Sequence, residues 1–467
     1  MDTGTVVIIT LIAYKLVLIG VGLWASRRTH SNEDFFLGNR GLGPWVAAIS
    51  YSASASSAWT LLGLSGAAYV LGLSAIWIAL GSIIGMFVAW LWVAKRVQRL
   101  TRMQNYLTVT DLLAGDTVGQ WREKIVLSIS FIILFSFTFY VAAQFQGAGV
   151  AFAETFGLPT TASILIGSAI ILFYTLIGGF WAVSLTDTIQ GSVMAIAAII
   201  LPIMTLIHLG GFEAFWHAFL SVGTSSQISF NADQGWLLSL GVIFGGLSIG
   251  FGTYGQPHLL VRFMALRDDA ARRQAIYISS AWYFIVFFGM IFVGLAARVL
   301  FEDLGDAEKV FFLVANQVLH PVVAGLLIAA VLSAIMSTAD SQLLVSASVL
   351  SHDLKLEQRL PNQRLIIGRV AVLFMVVIAA LVALYLPSQI FTRVLFAWVG
   401  LGAAFGPLLF AKLLGWQLGA AHQFMGIWIG FSLAVILSWM PNTVGDIAER
   451  LMPFALHMLY LILMRKS

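Results

Sequence analysis

The chain is a succession of apolar runs, most of them long enough to cross a bilayer, separated by short polar joints. A helix rising about 1.5 Å per residue needs about 20 mostly apolar residues to span the hydrocarbon. That ruler marks spans at Thr5–Ala25, Pro44–Gly72, Leu73–Ala94, Ile125–Ala153, Ala162–Gly179 and Val183–Leu209. It marks further spans at Trp236–Tyr254, Ile276–Phe301, Val322–Leu350, Leu365–Leu386, Val394–Leu414, Phe424–Trp439 and Leu451–Met464, about thirteen in all. In lipid every backbone polar group must be satisfied within the protein, so the fold class is an all-α integral membrane domain. Only 10% of the residues are charged, against about 25% in soluble domains. The first run lacks a basic leader and a small-residue cleavage site, and is expected to remain as a span.

Cytoplasmic joints of membrane proteins hold the excess of Lys and Arg. With the N-terminus outside, the inner joints receive Arg27, Arg28, Arg40, Lys95, Arg96, Arg99, Arg102, Arg122 and Lys124. They also receive Arg262, Arg267, Arg272, Arg273, Lys355, Arg359, Arg364, Arg369 and Lys412, and the tail adds Arg465 and Lys466. The outer side keeps Arg298, Lys309, Arg393 and Arg450. The reading is N-terminus outside, C-terminus cytoplasmic, in the cell (inner or plasma) membrane. A net charge of +4 without a basic patch argues against nucleic acid as a partner. The absence of cysteine excludes disulfides, thiolate metal sites and cysteine nucleophiles.

Two spans carry helix-breaking sequence. Ser50-Tyr-Ser-Ala-Ser-Ala-Ser-Ser-Ala-Trp59 crowds small hydroxyl residues into the middle of Pro44–Gly72. The second is Gly250-Phe-Gly-Thr-Tyr-Gly-Gln-Pro257, at the end of Trp236–Tyr254. Unwound backbone at membrane depth persists where it is buried in protein or lines a wet cavity. Its freed carbonyls are ligands for a hard cation. Close packing is the plainer reading of small residues. It is preferred for Gly81 and Gly85, whereas the many hydroxyls of Ser50–Trp59 favour a functional role.

Asp340, in Ser337-Thr-Ala-Asp-Ser341, lies in an apolar segment with no Lys or Arg within a turn or two along the chain. An intramembrane carboxylate needs a proton, a hydrogen bond or a cation. Ser337 and Ser341 share a helix face at i, i+4, so hydroxyls facing freed carbonyls would form an oxygen cage of sodium type. Asp187 is either a helix-start carboxylate facing the dipole or, preferably, an ion-pathway residue. His258, beside Pro257, reads as a capping or loop residue at a cytoplasmic helix end.

These residues fall in four ordered motifs: Phe36-Leu-Gly-Asn-Arg40, Tyr174 to Gln190, Gly255 to Met264, and Met336 to Leu344. Through them the sequence resembles the sodium/solute symporter family, most closely its sodium/proline symporter branch, from about Phe35 to at least Leu354. The resemblance implies a leucine-transporter-like core of two inverted five-helix repeats, at 44–209 and 236–414. One extra helix would precede them within 1–30, and further helices would follow at 421–467, all in one transmembrane domain. The second broken helix would end near Pro257. Sodium, the coupling ion, would be held by the carbonyls of Ala53, Ser56 and Ala334 and the hydroxyls of Ser337 and Thr338. Asp187, Asp340 and Ser341 would form a second cation site. Ser57, Trp59, Tyr140 and Thr253 would line the pocket for a small organic solute, with proline, another amino acid or a carboxylate as the expected classes. The chain departs from the proline transporters at Ala55, where they carry an aspartate, and at Ile249 and Thr253, where they carry Trp and Tyr. Asp340 is a candidate to restore the missing charge.

The resemblance implies alternating access driven by sodium, with lipid as surroundings. Proton coupling through Asp187 or Asp340 is the nearest rival, since a carboxylate in hydrocarbon holds a proton readily. A solute sensor is the next, although no signalling module follows before Ser467. An enzyme is not expected: the chain has no His-Glu-x-x-His, nucleophile elbow or Walker loop.

Overall fold

A computed structural model describes residues 3–26, 37–115, 117–176, 179–356, 364–386 and 388–465. Arg27, Arg28, Arg359 and Lys466 of the charge pattern, and Phe36, Ile177 and Gly178 of the motifs, lie outside those residues. The first half contains α1 (Thr3–Ser26), α2 (Pro44–Ala55), α3 (Leu64–Leu71), α4 (Ile76–Val88), α5 (Ala94–Met103), α6 (Val109–Ala114) and α7 (Gly119–Phe156). It continues with α8 (Thr160–Thr175), α9 (Phe180–His208), α10 (Phe212–Val222), α11 (Trp236–Leu247) and α12 (Ile249–Gly252). The second half holds α13 (Pro257–Met264), α14 (Asp269–Leu300), α15 (Val310–Val318) and α16 (Pro321–Ser348). It ends with α17 (Arg364–Tyr385), α18 (Ile390–Leu413), α19 (Ala420–Leu437) and α20 (Ile447–Met464).

Among the described residues ten helical stretches are long and apolar enough to cross a membrane. One of them, Trp59–Met103, is a single 45-residue stretch bent at Gly72. Gly72 takes φ +63, and the next residue, Leu73, donates its N–H to Gln227 O at 2.8 Å. Only glycine adopts that backbone without cost. Local signals start several helices. Proline opens α2, α13 and α16, where its missing N–H is no loss. Thr108 and Asp111 form a reciprocal capping box on α6, and Asp268 caps α14.

α2 packs on α9, α14 and α16, so the first break lies in the middle of the bundle. Gly81 and Gly85 of α4 face Gly246 and Gly250 of the α11–α12 stretch. A Cβ on Gly81 would lie 2.6 Å from Gly246 O, and one on Gly85 would lie 2.7 Å from Gly250 O. The packing reading of Gly81 and Gly85 therefore holds: the two backbones touch directly.

Several charged residues do not lie where the loop reading put them. Arg262 and Arg272, assigned to an inner joint, are buried inside α13 and α14. Arg393 and Arg450, assigned outside, are buried in α18 and α20. Each finds oxygen acceptors: Arg272 reaches Asp269 and Trp90 O, Arg393 reaches Gln146, and Arg450 reaches Asp446. The second broken helix ends at Gly255, two residues before Pro257, as expected. Gln256 is extended (φ -81, ψ 108), and the chain then resumes as α13. His258 is accordingly no loop residue. It is fully buried in the first turn of α13, its ring 5.5 Å from Phe137 and 6.2 Å from Tyr140.

Candidate functional site

The first break separates α2 from a π-helical turn at Trp59–Gly63. π turns inside α-helices recur at functional sites. Ser56 donates its N–H to Ala53 O at 3.2 Å, and Thr60 donates to Ser57 O at 3.0 Å. All of Ser50 to Trp59 is buried, so the freed backbone is matched by groups from neighbouring helices. α16 supplies them: Ser337 Oγ donates to Ala53 O at 3.2 Å, and Thr338 Oγ1 donates to Ser54 O at 3.0 Å. Ser337 Oγ also lies 3.1 Å from Ala334 O of its own helix. Three of the five residues expected at the sodium site, Ala53, Ala334 and Ser337, thus meet through one hydroxyl. Thr338 sits on the adjoining carbonyl, and Ser56 caps the end of α2.

Asp187 lies two turns into α9, which begins at Phe180 rather than at Val183. That removes the helix-start reading, because the dipole effect fades beyond the first turn. Its Oδ2 accepts from Ser54 Oγ at 3.1 Å, from Ser341 Oγ at 3.2 Å and from Arg262 Nη2 at 2.6 Å. Both ionic side chains are buried, at 1% and 0% exposure. Removing one partner of such a pair strands a buried charge, at a cost of about 3–5 kcal/mol. Asp340 Oδ1 accepts from Thr175 Oγ1 of α8 at 2.5 Å.

Beside Trp59 is a partly open cavity of about 330 Å³. Ala55, Trp59, Tyr140, Ile249, Thr253 and Trp398 are among its walls. Trp59, Tyr140 and Thr253 therefore share one cavity, and the departing positions Ala55 and Ile249 open onto it. Ser57 stands behind Trp59, accepting its N–H at 3.2 Å. Among the described residues neither Asp187 nor Asp340 lines this space, and its walls are uncharged. Trp398 Nε1 donates to Ile249 O at 2.9 Å, and Gln256 Nε2 donates to Trp398 O at 3.0 Å, so α18 holds the second break. Over the cavity, Trp59 stacks on Phe391 at 5.7 Å between centroids. Phe391 N–H is in turn accepted by the buried Glu308 carboxylate at 2.8 Å.

A second space of about 500 Å³ reaches Arg262 and Ser341 from the end of the bundle marked by Thr108 and Asp353. Arg262, Ser54, Trp398 and Tyr283, a further wall of the Trp59 cavity, were missed in the sequence. A signal existed for Arg262: it is the one cation in Leu259-Leu-Val-Arg-Phe-Met264, and an intramembrane charge is a functional candidate by default. Tyr283 and Trp398 carried none, since aromatics abound in every span.

A family model described as the sodium:solute symporter family matches residues 35–430. The osmoregulated proline transporter OpuE of Bacillus subtilis is 34% identical over 444 residues, covering 93% of this chain and 88% of the relative. The sodium/proline symporter of Escherichia coli is 35% identical over 450 residues, covering 94% and 88%. Among solved structures, an outward-open, substrate-bound Na+-coupled sialic acid symporter superposes with a TM-score of 0.82 at 17% identity, covering all of both chains. At that identity the likeness is one of fold.

Proposed function

This chain belongs to the sodium:solute symporter family, and from that membership we propose that it carries a small organic solute inward together with sodium, by alternating access. Its relatives are transporters, not enzymes. The observation that carries the proposal is the Ser337 hydroxyl 3.2 Å from Ala53 O and 3.1 Å from Ala334 O, at the break in α2. In this reading Ala53, Ser56 and Ala334 offer carbonyls and Ser337 and Thr338 offer hydroxyls to sodium. The ion ties α2 to α16. Release of the ion frees the two helices to part. The membrane potential adds about 2.3 kcal/mol per charge per 100 mV to the drive.

The arrangement proposed is about thirteen spans, with inverted repeats at 44–209 and 236–414 and the N-terminus outside the plasma membrane. The two breaks support the repeat reading, as does the parallel bridge of Leu42, before α2, with Leu266, after α13. The solute site is the cavity of Trp59, Tyr140 and Thr253, with Ser57 behind it. Its uncharged walls favour a compact solute that needs no ionic partner from a side chain, such as a zwitterionic amino acid. The proline carried by the relatives is the first to test.

Protein reconstituted in liposomes is given radiolabelled proline, other small amino acids, short carboxylates or pantothenate, with an inward sodium gradient or with choline. The expected result is sodium-dependent accumulation of one solute, lost in Ser337→Ala and Thr338→Ala at the sodium concentration that half-saturates the unmutated protein. Equal uptake on a proton gradient without sodium sinks the sodium assignment.

A further inference from the structure

Asp187 and Ser341, two of the three residues that sequence reasoning gave to a second cation, cluster with Ser54 and the Arg262 guanidinium. Arg262 Nη2 lies 2.6 Å from Asp187 Oδ2, 2.8 Å from Ser54 Oγ and 2.5 Å from Ser341 Oγ. Those three oxygens come from α9, α2 and α16, and the positive group among them is fastened to α13. A guanidinium carries one full charge and donates in several directions, so it takes the place that a bare monovalent cation would hold among such oxygens. Its other terminal nitrogen, Nη1, donates to His258 O within α13, and Cζ of the guanidinium lies 5.7 Å from the Phe180 ring centroid.

Charge counting leads to the same result. One carboxylate and one guanidinium, both almost fully buried, leave no net negative charge to attract another ion. A sodium ion entering the same oxygens would face the guanidinium at contact range, where the low dielectric makes like-charge repulsion severe. Asp187 Oδ1 has no partner among the described residues, but one oxygen does not make a cage. Ser54 Oγ also lies 3.2 Å from Ser337 O, so this cluster adjoins the sodium site and shares α2 and α16 with it.

We propose that Arg262 is the built-in occupant of the second cation position, and that the protein therefore carries one sodium ion per solute molecule. The inference rests on the symporter reading. It assigns Arg262 a role the family comparison does not supply, as a tethered counter-ion that sets coupling stoichiometry.

The test counts bound radioactive sodium on the purified full-length protein, titrated to saturation. Wild-type protein is expected to hold one sodium per chain with a Hill coefficient near one. Arg262→Ala is expected to hold twice as much, with a steeper titration, and Arg262→Lys to stay at one. In Arg262→Ala, added guanidinium chloride should displace the extra sodium and no other, which a merely structural role would not produce. The wild-type count needs no variant, so misfolding of Arg262→Ala leaves the decisive number in place. Two sodium ions on the wild-type protein overturn the inference while leaving the symporter reading intact. No bound sodium at all overturns both.

Discussion

Ser337 makes two oxygen contacts with a single hydroxyl, to Ala53 O and Ala334 O, and each would become a contact to sodium. Hydrogen bonds to charged groups contribute about 1.5–3 kcal/mol, so Ser337→Ala should raise the sodium concentration for half-maximal uptake by about 10–100-fold. Solute KM at saturating sodium should stay nearly unchanged, which sodium titrations of uptake would check. Ile249 faces the solute cavity. Ile249→Trp adds an indole to a space of about 330 Å³ and should raise solute KM at least about tenfold through overpacking, with sodium binding retained. At this scale the sequence revealed chemistry along each helix better than partnership between helices. The Ser337 and Ser341 hydroxyls were readable because their i, i+4 spacing puts them on one helix face. The pairing of Asp187 with Arg262 was not, because 75 residues separate the two and their meeting depends on how α9 and α13 pack.

At the scale of the element, the seam between α4 and the α11–α12 stretch leaves no room for a side chain. Gly81→Ala or Gly85→Ala would push a methyl against a backbone carbonyl, at a cost of about 1–3 kcal/mol. Gly20 has nothing within 4 Å of its missing Cβ. Thermal unfolding in detergent should therefore fall by several degrees for the seam variants and stay level for Gly20→Ala. Glu308, outside the spans, supplies a pH test for the roof of the cavity. Burial holds its carboxyl above its ordinary value of 4.5, while N–H groups of Phe391 and Ile390 oppose that rise. Protonation thus favours the closed roof: its contribution is complete below the ordinary value and fades as pH rises through the raised one. Alkylation of a cysteine at Ala55 should rise more steeply with pH than in a Glu308→Gln background, where only ionisation of the thiol itself contributes. Periodicity exposed the spans, yet α6, α10 and α15 went unseen, because short helices between spans look like polar or apolar fragments of loop.

For the whole molecule, the native chain has no cysteine, so single introduced cysteines report topology without background. Asp303→Cys and Arg267→Cys replace exposed residues at opposite ends of α14. An impermeant maleimide added to intact cells should label the first and spare the second; the reverse pattern would invert the orientation proposed here. Bilayer-spanning character was legible throughout, since a chain with so few charges has no other solvent to face. The positive-inside pattern was read less well, because Arg262, Arg272, Arg393 and Arg450 proved to be buried partners rather than loop charges. The seam of Gly81 and Gly85 against Gly246 and Gly250 also bears on motion. An interface of bare main chain has no rotamers to re-sort and no side-chain knobs to lift out of holes. Where these glycines meet, sliding is opposed mainly by main-chain contacts, which gives the second broken helix a smooth bearing against α4.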